Sequence, residues 1–85
     1  MSQMKILVNV FVPAISERYD ILVPKTIKIK NAVSMIAGAV ENLSGQQYVS
    51  SGEEELCSGE KNIVLRKTAT LEQYGIRNGD HLILM

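Results

Sequence analysis

TLEQYGIRNGDHLILM, residues 70–85, sets three signals side by side. Thr70 followed three residues later by Gln73 has the form of a capping box, in which each side chain satisfies a free backbone N–H at a helix start; the pair predicts one helical turn. Asn78-Gly79 predicts a tight turn. Leu82 and Leu84 then alternate with Ile83 and Met85, the pattern of a strand that runs into the last residue given.

Working back from there, Met4, Ile6, Val8, Val10 and Val12 are all apolar, while the intervening positions mix Lys5 and Asn9 with Leu7 and Phe11. This is a strand with one committed core face. Pro13, Ser16 and Glu17 mark a turn, and Tyr19, Ile21 and Val23 alternate with Asp20 and Leu22 until Pro24, so the two segments predict a hairpin. The period changes at Ile29. Ile29, Val33, Ile36, Val40 and Leu43 fall in one helical stripe with Ala32 and Ala37, and Ser44-Gly45 predicts its end, Gly45 being suited to a left-handed cap. Residues 44–53, SGQQYVSSGE, predict a mobile connection. Next come a short strand around Glu54 to Ser58, a turn through Gly59 to Asn62 and a second short strand at Ile63 to Leu65.

Composition bounds what such a chain can do. Its 85 residues allow one domain, 1–85, and one core, since small domains bury only roughly 60 to 65% of their unfolded surface. Nine Lys+Arg balance nine Asp+Glu, so no positive field points to nucleic acid. A single cysteine, Cys57, cannot close an internal disulfide, and with only His81 beside it cannot supply a zinc or iron–sulfur site; a reducing cytoplasm is the compartment expected. The apolar start is interrupted by Asn9 and Pro13 and lacks a small-x-small cleavage site, which argues against a signal peptide. No apolar stretch approaches the ~20 residues that span a bilayer, so no membrane insertion is expected. There are no paired carboxylates in a cleft motif, no Ser/His/Asp or Cys/His arrangement and no Gly-rich phosphate loop. The expectation is a non-enzyme without a cofactor.

The element order is strand, strand, helix, strand, strand, one-turn helix, strand. With Leu71, Tyr74 and Ile76 before a turn and an alternating last strand, it resembles ubiquitin. The fold implied is α+β, a β-grasp with one helix packed on a mixed five-stranded sheet. Within that fold IKNAVSMIAGAV at 29–40 and LEQYGIRNGDHLILM at 71–85 resemble the YukD/EsaB group of small bacterial ubiquitin-like proteins. Members of that group serve type VII (WXG100) secretion systems of Gram-positive bacteria as cytosolic accessory proteins. The resemblance therefore implies an adaptor whose partner is a cytosolic part of that machinery, and it carries over no catalytic residue. Ubiquitin-like modifiers and sulfur carriers, the alternative, need a flexible tail ending in Gly-Gly. Here the final carboxylate belongs to Met85 on the predicted strand, so conjugation is not expected of the sequence as given.

If Ile6, Val8, Val10, Ile21, Val23, Leu82 and Leu84 face the helix, period-two geometry sends Leu7, Phe11, Leu22, Ile83 and Met85 to the other face of the sheet. They are expected to form one apolar patch of several hundred Å², a protein-docking surface unless the 44–53 loop or a homodimer covers it. A second candidate is Lys25, Lys28 and Lys30 around the helix start, where cations oppose the helix dipole and a partner's carboxylates would relieve them. Tyr74, by its resemblance to ubiquitin's tyrosine in the same turn, is expected to tie its hydroxyl to a loop backbone. His81 reads as a surface group, Cys57 as a non-nucleophile, and Glu53-Glu54-Glu55 as a solvated strand entrance with a basic partner as the lesser reading.

Overall fold

The computed structural model describes residues 5–85; Met4, expected on the core face of the first strand, lies outside them. Strand β1 (Lys5–Val12) pairs antiparallel with β2 (Glu17–Pro24), helix α1 (Ile29–Leu43) comes next, and β3 (Leu56–Ser58) and β4 (His81–Leu84) complete the element order. The sheet order is β2-β1-β4-β3, with β4 parallel to β1 and antiparallel to β3. Alternation along the strands works as period two requires. Ile6, Val8, Val10 and Val12 from β1, Ile21 and Val23 from β2, Leu56 from β3 and Leu82 and Leu84 from β4 bury one face of the sheet. Against it pack Ile29, Val33, Ile36 and Val40 of α1, with Ala32 and Ala37 at the flanks of the stripe.

Leu43 departs from that stripe, being 59% exposed. Its angle around the helix is right, but a 3.6-residue period fixes direction and not how far the sheet extends beneath. Just beyond it the helix stops as the sequence predicts. Gly45 takes φ +63°, its N–H donates to the Asn42 carbonyl and that of Gln46 to the Glu41 carbonyl, the paired bonds of a Schellman cap.

The helix start has no side-chain cap. Its amides are instead met by backbone: Ile29 N–H donates to the Ala69 carbonyl at 2.7 Å and Lys30 N–H to that of Lys67 at 3.1 Å. This use of residues 67–69 also explains why the sheet has four strands and not the expected five. After the turn at 59–62, Ser58 N–H donates to the Ile63 carbonyl and Leu65 N–H to that of Leu56, yet only an isolated bridge at Cys57–Val64 forms. The chain must then leave the sheet edge to deliver the Lys67 and Ala69 carbonyls to α1, so the ladder ends before it becomes a strand.

The expected one-turn helix is corrected in the same way. The capping box is present, with Thr70 N–H donating to Gln73 Oε1 at 2.9 Å and Gln73 N–H to Thr70 Oγ1 at 3.0 Å. Beyond it the chain makes a run of tight turns: Tyr74 N–H bonds back to Leu71 and Gly75 N–H to Glu72, three residues each, and Gly75 at φ +70° turns the chain away. One turn gains too few bonds to propagate as α-helix.

Glu54 overturns the solvated reading of Glu53-Glu54-Glu55. It is 4% exposed, and its carboxylate accepts bonds from the Tyr48 hydroxyl (2.7 Å), the Ser51 N–H (2.8 Å), the Gly52 N–H (3.2 Å) and the Ser50 hydroxyl (3.2 Å). Burial works against its charge, but the bonds from Tyr48, Ser51 and Ser50 outweigh it and hold the carboxyl at about 2. The Tyr48 hydroxyl is pushed well above its ordinary value, first by burial and then by the carboxylate it serves.

Candidate functional site

The face of the sheet opposite the helix is built in rows by the strand register. Leu7 of β1 lies opposite Leu22 of β2; in the next row Asn9 lies between Asp20 and His81; in the third Phe11 lies between Arg18 and Ile83, with Cys57 beyond. Met85 comes after β4, its backbone exchanging two hydrogen bonds with Glu55. All five candidate docking residues therefore share this face. Leu7, Leu22 and Met85 are 43%, 54% and 61% exposed, and Phe11 and Ile83 are half-buried.

They do not form one continuous apolar patch. The middle row is polar, with Asn9 Nδ2 donating to Asp20 Oδ1 at 3.0 Å and His81 Nδ1 lying 3.1 Å from Glu60 Oε2. Leu7 and Leu22 stand on one side of it, Phe11, Ile83 and Met85 on the other. The guanidinium of Arg18 lies 4.6 Å from the centre of the Phe11 ring, a cation–π contact that screens one side of the ring from water. Arg18, Asp20 and Glu60 also belong to this face, though none is among the candidate docking residues. The signal for the first two was available in principle, since residues opposite Phe11 and Asn9 across a hairpin must share their face; Glu60 comes from a turn and has no period to read.

The positions of these side chains are fixed from the loops. Asn78 Oδ1 accepts the Leu7 N–H at 2.7 Å, and Gly79, at φ +85°, donates to the Leu7 carbonyl at 2.8 Å, so the predicted Asn-Gly turn continues the ladder along β1. Gly59 approaches β4 so closely that a Cβ there would lie 3.0 Å from both the Cβ and the carbonyl oxygen of His81. Its N–H donates to that oxygen at 2.8 Å. Gly59→Ala should push β4 and the 59–62 turn apart and cost about 1–3 kcal/mol of stability, as overpacked sites do, read as a lower midpoint in urea. An unchanged midpoint would show that the turn yields freely.

Lys28 and Lys30, from the second candidate group, are exposed and Lys25 is partly buried, and among the described residues no carboxylate forms an ion pair with them. The amides at this helix start are occupied, so no anion site is preformed there. Tyr74 Oη accepts the Arg66 N–H at 2.9 Å, tying its turn to the loop before it. Cys57 is buried, and its thiol is pushed up by burial and by the nearby Glu55 charge. Among the described residues no three His, Cys, Asp or Glu side chains gather as metal ligands, and no helix is long and apolar enough to cross a membrane.

Comparison with protein families gives a match over residues 7–84 to "WXG100 protein secretion system (Wss), protein YukD". The chain belongs to this family. Curated proteins compared by sequence give no match. Solved structures resemble it in fold at low identity. The ubiquitin-like domain of an Arabidopsis thaliana protein is 22% identical, with a TM-score of 0.74 over 99% of this chain and 79% of that one. The EccD5 ubiquitin-like domain from Mycobacterium xenopi is 14% identical, with a TM-score of 0.71 over 98% and 94%. A chain of a MycP5-free ESX-5 inner membrane complex is 16% identical with a TM-score of 0.71, and the match covers 98% of this chain and 21% of that larger one. The YukD-family chain thus has the ubiquitin-like fold, with one helix on a mixed sheet.

Proposed function

We propose that this YukD-family protein is a non-catalytic adaptor on the cytosolic side of a type VII (WXG100) secretion machinery of the EsaB kind found in Gram-positive bacteria. It docks a protein component of that machinery on the outer face of its sheet. Family membership supports the pathway. The observation that carries the docking reading is the exposure of Leu7, Leu22 and Met85 on a face that no helix covers, with Phe11 and Ile83 beside them. Large apolar side chains grouped on one exposed face are the kind of surface that partners cover, at roughly 25 cal/mol per Å² removed from water. The polar row of Asp20, Asn9 and His81 suits such a surface, because satisfied polar groups between apolar anchors fix the register of a partner. A ubiquitin-like domain within an ESX-5 inner membrane complex is a precedent for this fold in such an assembly. Cys57, buried and with its thiol pushed up, is a poor nucleophile, which supports the non-catalytic reading at that residue alone.

Leu7→Ser combined with Ile83→Ser tests the face. Neither side chain belongs to the buried cluster between sheet and helix, so the double variant should melt within a few degrees of wild type. It should lose capture of the machinery's cytosolic component by on the order of a kcal/mol or more per residue, as central interface anchors do. Undiminished capture by a stable double variant would move the docking site elsewhere, with Lys25, Lys28 and Lys30 next in line.

A further inference from the structure

The two edges of the sheet are not alike. At β3 the outer backbone groups are already used by residues 63–65, which bond to Ser58 and Leu56. At β2 no described residue bonds to them. Along β1 the Asn9 N–H donates to the Asp80 carbonyl and the Leu7 carbonyl accepts from Gly79, so the odd-numbered residues of β1 bond toward β4. Its even-numbered residues therefore bond to β2, through their register partners Glu17, Tyr19, Ile21 and Val23. This leaves the N–H and C=O groups of Arg18, Asp20 and Leu22 directed out of the sheet, on a strand of eight residues whose only proline is its last.

Proteins commonly block such an edge with like charges or a central proline. Here the charges alternate in sign, and among the symmetric pairings centred on Arg18, Tyr19 or Asp20 only the one at Tyr19 opposes unlike charges. Two copies of β2 meeting antiparallel about an axis at Arg18 would oppose arginine to arginine, and about an axis at Asp20 aspartate to aspartate. An axis at Tyr19 sets Arg18 of each copy against Asp20 of the other, and these are the residues whose backbone groups point outward. It also brings the two half-buried Tyr19 rings together at the closer, non-hydrogen-bonded position, where aromatic cross-strand pairs are favourable.

We infer that a second copy of this chain adds to the β2 edge in that register, through residues 17–21, making one continuous sheet. The two helices then lie on one side and the two outer faces, with their Leu7, Leu22, Phe11 and Ile83 side chains, lie together on the other. A ladder this short gives weak association, populated at high local concentration. The pairing is separate from capture of a partner on the outer face and stands or falls by itself.

Sedimentation of the full chain from micromolar to near-millimolar concentration tests it, with Arg18→Asp, Asp20→Arg and the combined charge swap alongside. Wild type should move from monomer to dimer, and the amides of Arg18 and Asp20 should exchange more slowly as the dimer forms. Either single variant places like charges opposite each other twice and should weaken association by roughly tenfold or more. The combined swap restores both pairs and should regain dimerisation, a rescue that general damage to the fold would not give; melting curves show whether each variant is folded. Wild type that remains monomeric throughout overturns the inference. So does a dimer indifferent to the swap, or an edge occupied only by an extended segment of another protein.

Discussion

Leu82→Asp is expected to leave the chain unfolded at room temperature. Leu82 is fully buried on the central strand pair, with Val10 beside it on β1 and Ser58 on β3, so no rotamer brings a carboxylate there to water. The cost combines lost apolar burial with an unpaired charge, several kcal/mol at the least. A domain of this size is stable by only about 4–13 kcal/mol in all. Val33→Asp attacks the same core from the helix and should do nearly as much damage, because Val33 is buried opposite the sheet. Circular dichroism of each purified variant checks this. Cooperative melting near the wild-type midpoint in both would mean that the sheet and helix faces have been assigned the wrong way round.

The second large effect concerns Glu54. Its carboxyl is held at about 2 in the folded protein against an ordinary 4.5, so folding favours the charged form. Because the folded value lies below the unfolded one, the stability is fully present above pH 4.5 and is lost as pH falls through this range toward about 2. The shift corresponds to roughly 3 kcal/mol, which for a domain this small is a fall in melting temperature of about 12–24 °C. Glu54→Gln should lower stability at neutral pH by roughly that order and flatten this part of the pH profile, since an amide cannot supply the charged acceptor that Tyr48, Ser50, Ser51 and Gly52 share. Thermal melts of the two proteins between pH 2 and pH 7 make the comparison. Parallel curves would show that the loop draws its stability from elsewhere.

Much of this architecture is legible in the sequence, because local signals and global packing agree. Period two in β1 and β2, the stripe from Ile29 to Val40, the Gly45 cap, the Thr70–Gln73 box and the Asn78-Gly79 turn each act within a few residues. Each has one conformation that satisfies its own backbone. The same alternation places Leu7, Phe11, Leu22, Ile83 and Met85 on one face, since the pleat allows no other arrangement once the core face is chosen.

What the sequence could not determine is where distant backbone groups are needed. Ile63–Leu65 has the composition of a strand, but the helix start lacks a capping side chain and draws the carbonyls of Lys67 and Ala69 away from the sheet edge. Glu54, in a run of three acidic residues, is indistinguishable from its neighbours in sequence and is buried because the 48–52 loop closes over it. Pairing in register, a tertiary property, inserts Asp20, Asn9 and His81 between the apolar side chains, lays Arg18 over Phe11 and leaves β2 as the open edge. Local propensity fixes which way each side chain points along its own strand. Which strands become neighbours, and so which side chains meet across them, depends on closing the β1–β4 and β3–β4 ladders over tens of residues, and only the folded core pays that entropy.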